Sequence, residues 1–177
     1  MFKKLILILS MLVLIPTGMT FAGGEDHQMP PPYEGSVEFQ KIKSLAGEWR
    51  GKHTMGDQEI EVSATYAVTS NGSAVVETLN PGTADEMVSI YSDVKGKLSM
   101  THYCALANAP KLDLKASDDH SITLDFAADN AIDPTAEQHM HGLMITFLEG
   151  DKIEHNWSYY SDGQQAGSTV ITLSRVK

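Results

Sequence analysis

From Gly47 to Val176 apolar and polar side chains alternate in short runs, and turn-forming residues interrupt them about every ten positions. Alternation with a period of two is what a strand with one buried face requires. The interruptions are Met55-Gly-Asp57, Asn71-Gly72, Asn80-Pro-Gly82, Lys95-Gly96, Asn108-Ala-Pro110, Asp118-Asp119, Glu149-Gly-Asp151 and Asp162-Gly163. They predict strands near 48–54, 58–68, 73–79, 86–92, 97–105, 111–116, 121–127, 138–148, 152–160 and 167–176. Ahead of them Ser36 reads as a helix N-cap, with Phe39, Ile42 and Leu45 at helical spacing behind it. One long connection is expected, Asp129 to Ala136 with Pro134 inside it. The pattern predicts an all-β antiparallel sandwich or barrel of about ten strands behind a short N-terminal helix.

Features near the two ends of this pattern narrow the choice. Gly47-Glu-Trp49 opens the first strand directly after the helix, and Arg175 stands in the last strand within Leu173-Ser-Arg-Val176. This order resembles the lipocalin and fatty-acid-binding (calycin) superfamily. There a Gly-x-Trp on the first strand packs beneath an arginine of the last, which gives Gly47, Trp49 and Arg175 structural roles. A guanidinium on an indole face gains cation–π energy while its donors tie off carbonyls. Gly47-Glu-Trp-Arg-Gly51 is also similar to the start of nitrobindin-type haem-binding barrels, with Lys52-His-Thr54 where a glycine-rich continuation stands there. A wider resemblance runs from about Phe39 to Val176. Leu45-Ala-Gly-Glu-Trp49, Thr101-His-Tyr-Cys104, Asn108-Ala-Pro110 and His139-Met-His141, followed by Asp151 and Trp157, are similar to a group of small bacterial secreted proteins regarded as lipocalin-like. That group has no established activity, so the resemblance implies a lipocalin-like β-barrel and no catalytic residues.

Three of the expected strands carry histidine where an apolar side chain belongs. If alternation holds throughout, His102 and Cys104 share a face with Leu98 and Met100. His139 and His141 share one with Leu143, Ile145 and Phe147, and His155 shares one with Ile153, Trp157 and Tyr159. Buried polar groups must be hydrogen-bonded to each other or hold something. The chain is therefore expected to hold a small, partly apolar ligand in a barrel cavity, with His102, Cys104, His139, His141 and His155 as polar contacts. The alternative is a transition-metal or haem protein, or a metal-dependent enzyme, since His and Cys two apart on a strand are good donors. Its metal ligands would be His102, Cys104, His139 and His141. A thiolate nucleophile at Cys104 finds no acidic third partner and no nucleophile elbow in the sequence. A filled barrel whose histidines pair among themselves remains a further reading. Glu77 alternates with Val75 and Leu79 and reads as a candidate buried acid, although its strand is apolar on both faces.

Composition adds constraints. Lys3 and Lys4, the apolar run Leu5 to Pro16 and the small residues around Ala22 read as a signal peptide over residues 1–22. The run is too short to span a bilayer, so a periplasmic or secreted protein without a membrane anchor is expected. Residues 23–35, with Pro30-Pro-Pro32, read as a flexible leader, and 36–177 as one barrel domain. Without Lys3 and Lys4 the chain keeps 11 of its 13 basic residues against 23 acidic ones, a net of −12. No basic run exists, which argues against nucleic acid as a partner. The single cysteine, Cys104, allows no internal disulfide, so packing alone must hold the fold.

Overall fold

Ten antiparallel strands form a ring with no free edge. The computed structural model describes residues 29–55 and 58–177; the expected signal segment and the leader up to Gln28 lie outside them. Among the described residues, the helix α1 (Val37–Lys43) precedes the strands β1 (Gly47–Met55), β2 (Gln58–Thr69), β3 (Ala74–Leu79), β4 (Met87–Val94) and β5 (Lys97–Tyr103). There follow β6 (Lys111–Ser117), β7 (Ser121–Phe126), β8 (His139–Leu148), β9 (Lys152–Ser161) and β10 (Gln164–Arg175). Each strand pairs with the next, and β1 pairs with β10 to close the barrel. Of the antiparallel sandwich or barrel expected from alternation, the closed barrel is the fold observed.

Turn chemistry sets this up-and-down order. Lys95-Gly96 and Asp162-Gly163 are two-residue connections with positive φ at both positions (55° and 80°, 52° and 74°). That conformation matches the right-handed twist of flanking strands and gives a tight hairpin. Inward-facing residues then build the core: Leu98, Met100, Leu112, Ile122, Ile145 and Leu173 are each at most 1% exposed.

The helix side of the barrel is covered. Ser36 Oγ accepts from Phe39 N at 3.2 Å, capping α1, and Ser36 N donates to Asp93 Oδ2 at the end of β4. Phe39 and Ile42 are fully buried beneath it. Lys41 Nζ donates to Asp118 O in the β6–β7 turn, and Ser117 Oγ to Glu38 Oε1 at 2.7 Å. Tyr33, ahead of the helix, is bound as well: its N–H donates to Asn71 O at 2.8 Å.

The Gly47, Trp49 and Arg175 arrangement is present as expected. Arg175 Cζ lies 4.4 Å from the Trp49 ring centroid, while Nη1 and Nη2 donate to Ala46 O at 2.7 Å and Ser44 O at 2.8 Å. Trp49 Nε1 donates to Leu45 O at 2.8 Å, so helix exit, first strand and last strand share one knot. Arg175→Ala removes both charged hydrogen bonds and the ring contact. A loss of about 2 kcal/mol in urea unfolding is expected, with only partial recovery in Arg175→Lys, because an ammonium lacks the planar fork. Gly51 supplies the other closing contact: a Cβ there would stand 1.8 Å from Thr172 O on β10.

The opposite end is bounded by the longer loops, 80–86, 104–110 and 127–138. These are tied down. Asn130 Nδ2 donates to Lys111 O at 2.8 Å and Ala127 O at 2.9 Å, and its Oδ1 accepts from Lys111 N at 2.7 Å. Asn108 Nδ2 donates to Gln138 O at 2.7 Å, joining two of the loops.

Candidate functional site

Residues directly opposite in an antiparallel ladder share a face. The register runs Tyr66 opposite Glu77, Glu77 opposite Ser89, and Ser89 opposite His102, a polar row crossing β2, β3, β4 and β5. All four side chains are buried, at 3%, 2%, 3% and 3% exposed, so the row faces inward. Four consecutive polar positions inside an apolar barrel are costly unless partnered.

The partners come partly from across the barrel. His155 on β9 is fully buried, and its Nε2 lies 2.9 Å from Tyr66 Oη, a bond between strands that β10 and β1 separate in the ring. Tyr91 Oη donates to Glu77 Oε2 at 2.7 Å. His102 Nδ1 pairs with Ser89 Oγ at 3.0 Å, and its ring lies 4.7 Å from that of Trp157. One contact is incomplete. His155 Nδ1 is 3.7 Å from Glu77 Oε1, beyond hydrogen-bond reach, and is buried with no partner. His53 Nδ1 is in the same condition; His53 and His155 both stand opposite Ile171.

Burial pushes both interior imidazoles below their usual pKa, and the nearby Glu77 carboxyl only partly opposes the shift. His102 and His155 are therefore neutral near pH 7. Burial, and secondarily Glu77, holds the Tyr66 and Tyr91 hydroxyls well above the usual tyrosine value, so both stay protonated donors. The interior offers neutral donors and acceptors around one carboxyl group.

His139 and His141 do not belong to this interior set, which corrects the expectation from simple alternation. The β8–β9 register passes from Met140 opposite Tyr159 to Gly142 opposite Ser158, leaving His141 as the extra residue of a bulge. The extra residue reverses the alternation. Met140 takes the place facing Tyr159, on the face of Leu143 and Ile145, while His139 stands opposite Tyr160. The two histidines form a rim cluster where β7 ends and β8 begins. Glu137 O can only accept, so His139 donates from Nδ1 (2.7 Å) and receives His141 Nδ1–H at Nε2 (2.9 Å). The His141 ring is stacked between Tyr160 at 3.7 Å and Phe126 at 5.0 Å. Burial lowers its pKa, against the pull of Asp125, whose Oδ1 is 3.9 Å from Nε2.

Cys104 lies beyond the strand on which it was expected. β5 ends at Tyr103, and Cys104 opens a turn in which its N–H donates to Asn108 O at 3.0 Å and its carbonyl accepts from Ala107 N at 3.0 Å. Alternation stops there because Ala107 adopts φ 59° to bring the chain round to Pro110. The half-buried thiol sits at the loop end of the barrel. The expected metal set of His102, Cys104, His139 and His141 does not converge: among the described residues no group of three or more His, Cys, Asp or Glu is arranged to hold a metal ion.

Tyr66, Ser89, Tyr91 and His53 carry or border the interior site without having been singled out as site residues from sequence. Alternation places each of them on a face, but nothing local shows that Tyr66 reaches His155 across the ring.

No protein-family model matches the chain, and no curated protein matches its sequence. Among solved structures it is similar to the crystal structure of Rv2717c from M. tuberculosis, at 11% identity and a TM-score of 0.55. The match covers 81% of this chain and 100% of that one. At this identity the likeness concerns the fold alone.

Proposed function

We propose that this chain is an exported, lipocalin-like binding protein that holds a small, partly apolar molecule inside its barrel. The observation that carries the reading is the buried polar row, with His155 Nδ1 left facing Glu77 Oε1 across 3.7 Å without a hydrogen bond. A purely structural core would be expected to close that gap, since an unpaired buried group costs about 1–3 kcal/mol. Glu77, His102, His155 and Trp157 are the contacts assigned to the ligand, and Tyr66, Ser89 and Tyr91 orient them. Apolar neighbours such as Met100, Leu124 and Leu143 would take the rest of the molecule. Entry is assigned to the loop end, because α1 and Arg175 occupy the other. Export and kinship with the small secreted lipocalin-like proteins are part of the same reading, resting on residues 1–22 and on the Gly47, Trp49 and Arg175 arrangement.

Native mass spectrometry of the protein purified from its exported compartment, compared with its denatured mass, tests this directly. An excess matching an organic molecule is the expected result. Repeated preparations with no excess would count against a tightly held ligand.

A further inference from the structure

We propose that the barrel interior selects molecules with an amine or hydroxyl head on an apolar body and rejects carboxylates. This rests on the binding reading above and names the ligand class. The buried polar and charged residues are Glu77, Ser89, Ser99, His102, His139 and His155. Among the described buried residues, then, the one carboxyl group is Glu77 and there is no lysine or arginine. The arginine at the closed end, Arg175, is committed to Trp49 and to the Ser44 and Ala46 carbonyls.

A carboxylate head entering this interior meets another carboxyl group and finds no cation. The two interior imidazoles cannot supply one at neutral pH, because burial keeps them unprotonated. A donor finds the opposite situation. Glu77 Oε2 is taken by Tyr91, but Oε1 and His155 Nδ1 stand 3.7 Å apart with no hydrogen bond between them. A single ligand nitrogen placed about 2.8 Å from each would donate to both. For Nδ1 to accept, His155 must carry its proton on Nε2 and donate it to Tyr66 Oη, a role the 2.9 Å contact accommodates. The ligand thus gives His155 Nδ1 the partner that it lacks in the protein. The net charge of −10 acts in the same direction at long range, favouring approach of cations over anions.

Matched probes separate these terms. Hexylamine, hexanol and hexanoate share one apolar chain and differ in the head group, and binding to the purified protein is followed by isothermal titration at neutral pH. Hexylamine and hexanol are expected to bind, with hexanoate weaker than the amine by about a hundredfold, the scale of burying a charge that finds no opposite partner. In Glu77→Gln the amine loses most of its advantage over hexanoate, and hexanol, which carries no charge to lose a partner for, weakens less than the amine. A folded Glu77→Gln that keeps the full amine preference overturns the role of Glu77. If that variant fails to fold, the three-probe comparison on the unaltered protein decides. Hexanoate binding as tightly as hexylamine overturns head-group selection and leaves the binding reading standing. No binding by any probe, with no adduct in the native mass spectrum, removes both.

Discussion

Gly51→Ala is expected to prise the first strand from the last and to lower stability by at least about 3 kcal/mol. The added Cβ would lie 1.8 Å from Thr172 O, 2.9 Å from its carbonyl carbon and 3.0 Å from Leu173 Cα. All three are backbone atoms, so no side chain can swing aside, and relief requires moving β1 away from β10. Five residue pairs hold that seam, from Trp49–Arg175 to His53–Ile171, and without them the ring becomes an open sheet. Gly96→Ala makes a useful control: that turn glycine has φ 80° and nothing near its would-be Cβ, so only backbone strain of about 1 kcal/mol applies. Urea unfolding of the two variants checks the contrast. A Gly51→Ala protein as stable as the Gly96→Ala protein would show that the seam can yield without cost.

Acid weakens the barrel well before its surface carboxylates titrate. His102 and His155 have native pKa values depressed from an ordinary 6.5. Above that value neither state binds a proton, and their contribution to folding is fully present. As pH falls below it the unfolded chain takes up protons that the native barrel refuses, so stability drops until the native values are reached. Each group costs up to about 1.4 kcal/mol per pH unit within this window, or about 2.7 together. His141 shifts the same way, but its partial exposure makes its share smaller. Denaturant unfolding between about pH 7 and about pH 5 measures the slope, and a His102→Gln, His155→Gln double variant should flatten it. A parent protein with constant stability over that range would refute the account of neutral, solvent-excluded imidazoles.

The fold was largely legible because its punctuation is local. Asn71-Gly72, Lys95-Gly96 and Asp162-Gly163 mark turns by residue types that accept positive φ, and each marks a turn in the structure. The strand boundaries follow from these, with misplacement where the ladder is irregular. β10 was expected from 167 but begins at Gln164, because a bulge between Gln165 and Gly167 disguises its first residues. The site was legible by halves. Alternation placed His102 and His155 inward correctly, because β5 and β9 are regular at those positions. It misplaced His139 and His141, because one extra residue reverses the parity and nothing in Gln138-His-Met-His-Gly142 announces it. Glu77 was ambiguous because Val76 and Thr78 give its strand two plausible inner faces; only pairing with Tyr66 and Ser89 resolves them. Contacts across the barrel, Tyr66 with His155 and His102 with Trp157, depend on closure and leave no local trace.

The seam between β1 and β10 also imposes an order of events. Nine hairpin contacts join neighbours in sequence and can form as the chain collapses, whereas Arg175 must find Ala46 from 129 positions away. Such long-range closure comes late and slowly. Until it happens the molecule carries two unpaired strand edges and an uncovered apolar lining, the features that invite strand addition by another copy. The finished ring presents neither. The hazard of self-association is therefore confined to the interval before the last strand docks, and whatever speeds that docking protects the protein more than further reinforcement of the completed barrel.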